Sequence, residues 1–293
     1  MVLEQSLNQL DPWFARVAIA QAFARLAPVF IEDEIVPFFD FLVNGGALGD
    51  TSVDVRRAML DAGGAVIDMQ GQLRLPQLIG MFEEYLTKPT PPTETTDRIK
   101  EAVVILFGRA ARHLQSSDPR VKAVVDRLVE ALKTPSELVQ SAVSDCLPPL
   151  VVLIPSETSR LVDQLLANMV GAPKYAERRG AAYGLAGLIK GCGLKSIKQY
   201  NIVSRLRTAI DDKKNYEARQ GALFGLETLA STLGRLFEPY LIELLTLLLS
   251  TYGDQVPDVR EATQDTSKVM MAHLSGLVPH NSIRPFFMFI FCF

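Results

Sequence analysis

The sequence predicts an all-α chain of stacked helix pairs, an α-solenoid, and three observations carry that prediction. One phrase is written twice, 41 residues apart: Tyr175-Ala-Glu-Arg178-Arg-Gly180-Ala-Ala-Tyr-Gly184-Leu and Tyr216-Glu-Ala-Arg219-Gln-Gly221-Ala-Leu-Phe-Gly225-Leu. The same opening recurs at Arg16, Arg56, Lys100, Gln140, Arg178, Arg219 and Arg260, at intervals of 40, 44, 40, 38, 41 and 41. Two residues after each stands a small residue, Ala18, Ala58, Ala102, Ala142, Gly180, Gly221 or Ala262, which lets a neighbouring helix approach closely. Finally, no alternating β-branched run is long enough to propose a strand.

A period near 40 residues built from two helices is the signature of HEAT or armadillo stacking, in which each unit buries its apolar face only against the next. We place such an array over residues 1–275, with a non-repeat aromatic tail over 276–293. The array opens with an orphan second helix, 12–29, with Asp11 as N-cap, Pro12 at the first helical position, and Trp13, Val17, Ala18, Phe23, Leu26 and Val29 as its apolar set. Six pairs follow, 33–70, 73–114, 118–154, 157–190, 197–233 and 238–275.

The first helices of these pairs read as Asp33 to Leu42, Leu73 to Leu86, Val121 to Leu132, Glu157 to Val170, Ile197 to Ile210 and Glu238 to Tyr252. Each carries a helical stripe, for example Leu161, Leu165, Leu166 and Met169, or Leu241, Leu244, Leu245 and Leu248. The longest interval contains Thr87-Lys-Pro89-Thr-Pro91-Pro92-Thr-Glu-Thr-Thr96, whose prolines cannot continue a helix, so it reads as a long surface loop. Phe286 to Phe293 is apolar but far too short to span a bilayer, which leaves a truncated or misread chain end or a docking peptide as its readings.

Composition fits a soluble chain with a large interior: 48% hydrophobic, 22% charged, formal net charge −3. Cys146, Cys192 and Cys292 are too few and too scattered for a disulfide framework or a zinc site, which fits a reducing compartment, and we expect the cytoplasm. No secretory leader is visible at the N-terminus. Catalytic chemistry finds no foothold. Gly184, Gly187, Gly191 and Gly193 precede Lys195-Ser196, but Leu194 intervenes where a phosphate loop needs glycine, and helix packing followed by helix termination explains them. His113, His273 and His280 have no ligand pattern around them, and the carboxylate clusters at Glu32 to Glu34 and Glu83-Glu84 read as solvated. We expect no enzyme activity, cofactor, metal, membrane or small-molecule substrate.

Charge is uneven. Residues 1–70 hold four Lys/Arg against ten Asp/Glu, whereas 172–220 hold eleven against four, giving −6 and +7. In a stacked array Lys174, Arg178, Arg179, Lys213, Lys214 and Arg219 fall on the edge formed by turns inside pairs, and Lys190, Lys195 and Lys198 on the opposite edge. The first set is the candidate contact edge for RNA phosphates. The competing reading for Arg56, Arg178, Arg219 and Arg260 is structural, with Glu177, Glu217 or Asp258 as expected acid partners.

The run Lys174-Tyr-Ala-Glu-Arg-Arg-Gly-Ala-Ala-Tyr-Gly-Leu-Ala-Gly-Leu-Ile-Lys-Gly191, then Ala209-Ile-Asp-Asp-Lys-Lys-Asn215, then Gly234-Arg-Leu-Phe-Glu-Pro-Tyr240, resembles the family of general control non-derepressible protein one. Leu114-Gln-Ser-Ser-Asp-Pro-Arg-Val-Lys122 and Ser144-Asp-Cys-Leu-Pro-Pro-Leu150 resemble it slightly upstream, and the likeness covers about residues 11–275. That resemblance implies a non-enzymatic HEAT-repeat scaffold that binds stalled ribosomes and promotes phosphorylation of initiation factor two alpha in amino-acid starvation, with the ribosome (protein and rRNA) and translation-control proteins as partners. It implies that the matched segment leads into a part like the HEAT region of fungal elongation factor three. It also implies an internal fragment that lacks the family's kinase-binding region. The alternative is a general adaptor of the importin or phosphatase-scaffold kind.

Overall fold

The computed structural model describes residues 12–89 and 93–273, and these form helices joined by short turns, with no strand among them. They fall into two compact units, Met1–Pro155 and Ser156–Phe293, a division between the third and fourth helix pairs that the repeat spacing does not announce.

In the first unit the second helices α1 (Trp13–Leu26), α3 (Val53–Gln70), α5 (Glu94–Ala111) and α7 (Glu137–Val151) pack side by side in sequence order. The first helices α2 (Glu32–Val43), α4 (Leu75–Thr87) and α6 (Val121–Ala131) form the second layer. Aromatic rings pack the helices: Phe23 of α1 meets Phe38 of α2 across the two layers at 5.2 Å, and within the second layer Phe39 of α2 meets Phe82 of α4 edge-on at 5.6 Å. Such edge contacts add to burial because the ring edge is positive and the ring face negative. Thr93 caps α5 by accepting from the Thr96 N–H at 3.2 Å, just after the proline-rich loop.

The orphan helix departs from expectation in two respects. Pro12 occupies the N-cap and not the first helical position, while Asp11 lies outside the described residues. The buried positions of α1 are Arg16 and Ala20, whereas Trp13, Leu26 and Val29 are at least half exposed, because no described element covers that flank.

In the second unit α8 (Thr158–Gly171) pairs with α9 (Tyr175–Cys192). Next come α10 (Lys195–Gln199), α11 (Ile202–Asp211) and α12 (Tyr216–Leu233), and the unit closes with α13 (Glu238–Thr251) and α14 (Pro257–His273). The stripe Leu161, Leu165, Leu166 and Met169 is fully buried, as are Leu241, Leu244 and Leu248. The helix expected over Ile197 to Ile210 is broken: Asn201 sits in the left-handed region at φ 51°, ending α10 and starting α11. Asparagine tolerates that conformation at modest cost, which periodicity alone cannot reveal.

Threonines stitch successive second helices. Thr228 Oγ1 of α12 donates to the Ala182 carbonyl of α9 at 3.1 Å, and Thr266 Oγ1 of α14 donates to the Leu223 carbonyl of α12 at 3.1 Å. Close approach is enforced at Gly221, where a Cβ would lie 1.7 Å from the Met169 carbonyl oxygen of α8. Gly193 and Gly234, again 41 apart, end α9 and α12 with positive φ, the conformation that favours glycine. The aromatic tail, 276–293, lies outside the described residues.

Candidate nucleic-acid interface

Five of the seven recurrent residues near second-helix starts donate to backbone carbonyls. Arg56 Nη1 donates to the carbonyls of Asp50 at 2.6 Å and Thr51 at 3.1 Å. Gln140 donates to Leu132 and Thr134, Arg178 to Ala172 and Pro173, Arg219 to Asp212, and Arg260 to Asp254 and Gln255. Each therefore satisfies carbonyls left free where the preceding first helix ends and the chain turns.

Arg16 and Arg219 also reach an acid of the following pair. Arg16 bonds Asp50 through Nε at 2.8 Å and Nη2 at 2.9 Å, and Arg219 bonds Asp254 at 2.7 and 3.0 Å. Asp50 in turn accepts the Ser52 N–H, and Asp254 the Val256 N–H, each fixing a turn ahead of the next second helix. Burial pushes the Asp50 carboxyl up, but the Arg16 hydrogen bond, the Ser52 N–H and the charges of Arg16 and Arg56 outweigh it and hold the group below its ordinary value. Asp254 is likewise raised by burial and lowered further by Arg219, the Val256 N–H and the Lys213 charge, with a net downward shift.

Of the four arginines, Arg219 meets an acid, Asp254, that is not among those expected, while Arg56, Arg178 and Arg260 bond carbonyl or amide oxygens. Glu177 pairs with Lys174 at 3.3 Å, and Asp258 contributes its backbone carbonyl to Gln220. The acids that Arg16 and Arg219 meet stand in a recurring phrase: Gly49-Asp50 and Gly253-Asp254 each precede Asp-Val-Arg by three residues, ending at Arg56 and Arg260.

These bonds sort the six candidate edge residues. Arg178 and Arg219 are 3% and 5% exposed and engaged with carbonyls, so they do not face solvent. Arg179 is half-buried, with its guanidinium 5.9 Å from the Tyr183 ring centroid. Lys174, Lys213 and Lys214 are exposed. Arg178 reaches the Gln220 amide oxygen near the starts of α9 and α12, so the turns that precede these helices, with their three lysines, share one edge. Asp212 stiffens the second turn by accepting the N–H groups of Lys214 and Asn215 at 2.9 and 3.3 Å.

The positive excess of 172–220 is partly cancelled by acids outside that window. Arg205 pairs with Asp163 at 2.7 Å, Arg207 with Glu243 at 2.9 Å, and Arg219 with Asp254. What remains exposed on this edge is Lys174, Lys213 and Lys214. Among the described residues no cluster of three or more His, Cys, Asp or Glu is poised to hold a metal. Burial pushes the Cys146 and Cys192 thiols up, away from the thiolate form a nucleophile needs. No single described helix is long and apolar enough to cross a membrane.

Comparison with known proteins agrees with this geometry. Residues 2–112 match the family described as "Stalled ribosome sensor GCN1, HEAT repeats", and residues 178–280 match "EF3 N-terminal HEAT repeat". The chain is 44% identical over 266 residues to the human "Stalled ribosome sensor GCN1", covering 91% of this chain and 10% of that protein. It is 43% identical to "Protein ILITYHIA" of Arabidopsis thaliana, covering 90% of this chain and 10% of the relative. To "eIF-2-alpha kinase activator GCN1" of Saccharomyces cerevisiae it is 38% identical, covering 94% and 10%. Among solved structures, the karyopherin Kap121p bound to the extreme C-terminus of the phosphatase Cdc14p superposes with a TM-score of 0.54 at 14% identity. That match covers 98% of this chain and 31% of the other, and it speaks to the fold alone. Over about nine-tenths of its length the chain is similar to the GCN1 proteins, and it spans about a tenth of their length.

Proposed function

We propose that this chain is a non-enzymatic scaffold segment that associates with ribosomes in the cytoplasm and serves the translational control named in its relatives, stalled-ribosome sensing and activation of the kinase acting on initiation factor two alpha. The observation that carries this reading is identity of 38–44% extending over about nine-tenths of the chain to proteins bearing those names. A stacked array suits such a role, because its core is internal to each unit and its turns are left for docking. Lys174, Lys213 and Lys214 form the exposed part of the edge that we assign to contact with ribosomal RNA. The importin-type reading has only the shared architecture behind it, so we do not adopt it.

The test is cosedimentation of the full chain with purified ribosomes across a salt series. Pelleting that weakens with salt supports the proposal, since phosphate contacts release counterions. Failure to pellet at any salt overturns it for this chain.

A further inference from the structure

The edge opposite Lys213 and Lys214 carries cations with no counter-charge of their own. Because α9 and α12 run side by side in one direction, with Arg178 meeting Gln220 near their starts and Thr228 meeting Ala182 midway, their C-terminal turns lie on one edge. Those turns contain α10 after Gly193 and the 3-10 turn Gly234–Phe237. In α10 Ser196 and Ile197 are buried, Ser196 Oγ donating to the Gly193 carbonyl at 2.6 Å, which turns Lys195 and Lys198 outward together. Arg235 is exposed on the next turn.

None of Lys195, Lys198 and Arg235 has an ion-pair partner among the described residues. No Asp or Glu occurs within 190–201 or 232–237, and the next acid in sequence, Glu238, is only 4% exposed. Asp163, which lies near Tyr200, is already bound to Arg205. The first edge is different: Lys174 is paired with Glu177, the Lys213 charge acts on Asp254, and Asp211 and Asp212 are exposed beside the two lysines. Cations without an ion-pair partner set up a stronger positive potential than paired ones.

We infer that Lys195, Lys198 and Arg235 form a docking edge for the sugar-phosphate backbone of RNA, a second and more strongly positive one than the edge at Lys213 and Lys214. This rests on the ribosome-association reading for its biological setting, though not for its chemistry. Ile197 is buried and Leu236 stands alone at 61% exposure, so the edge lacks the apolar seat that a protein segment needs to anchor. A phosphate backbone needs only spaced cations.

The test compares the full chain with the triple variant Lys195→Glu/Lys198→Glu/Arg235→Glu and with Lys213→Glu/Lys214→Glu. A fluorescently labelled short RNA duplex is titrated across a potassium chloride series, and ribosome pelleting is measured in parallel. The inference expects the triple variant to bind the duplex about tenfold or more weakly, with the log–log salt slope shallower by about 2 to 3, and the double variant to lose less. Unchanged duplex binding by the triple variant overturns it, as does equally tight binding of polyglutamate by the wild-type chain. If the charge-reversed chain fails to fold, the neutral Lys195→Gln/Lys198→Gln/Arg235→Gln variant is read by the same criteria. Duplex binding that the triple variant loses, in a wild-type chain that never pellets with ribosomes, supports this edge and removes the ribosome proposal. Pelleting that survives in the triple variant, with duplex binding unchanged, does the reverse.

Discussion

The Arg219 guanidinium reaches from one helix pair into the next and closes on the Asp254 carboxylate through Nε at 2.7 Å and Nη2 at 3.0 Å. Both side chains are nearly buried, at 7% and 11% exposure, and the remaining Arg219 nitrogen is held by the Asp212 carbonyl. Removing either partner strands a charge away from water. Arg219→Met is therefore expected to cost about 3 kcal/mol in urea unfolding, and Arg219→Met/Asp254→Leu to cost less than that single change. Additive losses would mean that the two groups act independently.

Stability should fall in acid for a stated reason. The Asp50 and Asp254 carboxyls are held below their ordinary values in the fold, so the unfolded chain binds protons more readily near the ordinary carboxylate range. Their contribution is complete above about pH 4 and is lost as pH drops through the depressed folded values. Thermal melting from about pH 6 to about pH 3 is expected to show a shallower decline in Asp50→Asn/Asp254→Asn than in the wild-type chain.

Gly221 and Gly80 should respond oppositely to alanine. A Cβ at Gly221 would collide with the Met169 backbone carbonyl, which cannot rotate away, so Gly221→Ala is expected to destabilise by about 3 kcal/mol or more. Gly80 lies inside α4 with nothing within 4 Å of a built Cβ, so Gly80→Ala is expected to stabilise by about 0.5–1 kcal/mol. Chemical denaturation of the two variants decides the matter.

Reversing Lys213 and Lys214 should separate binding from folding. Both side chains are exposed in a turn whose geometry is set by the Asp212 and Asn215 side chains. Lys213→Glu/Lys214→Glu is expected to melt within about 0.5 kcal/mol of wild type while pelleting less with ribosomes. Unaltered pelleting would remove this edge from the proposed contact.

The sequence alone determined the all-α solenoid class, because an apolar stripe at helical spacing is a local property that survives in any neighbourhood. It also placed small residues at contact points, while for the recurrent arginines it left a structural part and an RNA-contact part both open. Only the tertiary structure decided which acids those arginines meet, since Asp50 and Asp254 lie 34 and 35 residues beyond Arg16 and Arg219 and become neighbours only when pairs stack. It alone showed that Arg178 and Arg219 are withdrawn from solvent, and that Asp163, Glu243 and Asp254 neutralise part of a charge surplus counted along the chain. It alone broke a helix at Asn201. Charge counted in sequence is one-dimensional, whereas the field at a surface depends on which charges folding brings together, and that is why the ion pairs to Asp163, Glu243 and Asp254 could not be read from the count.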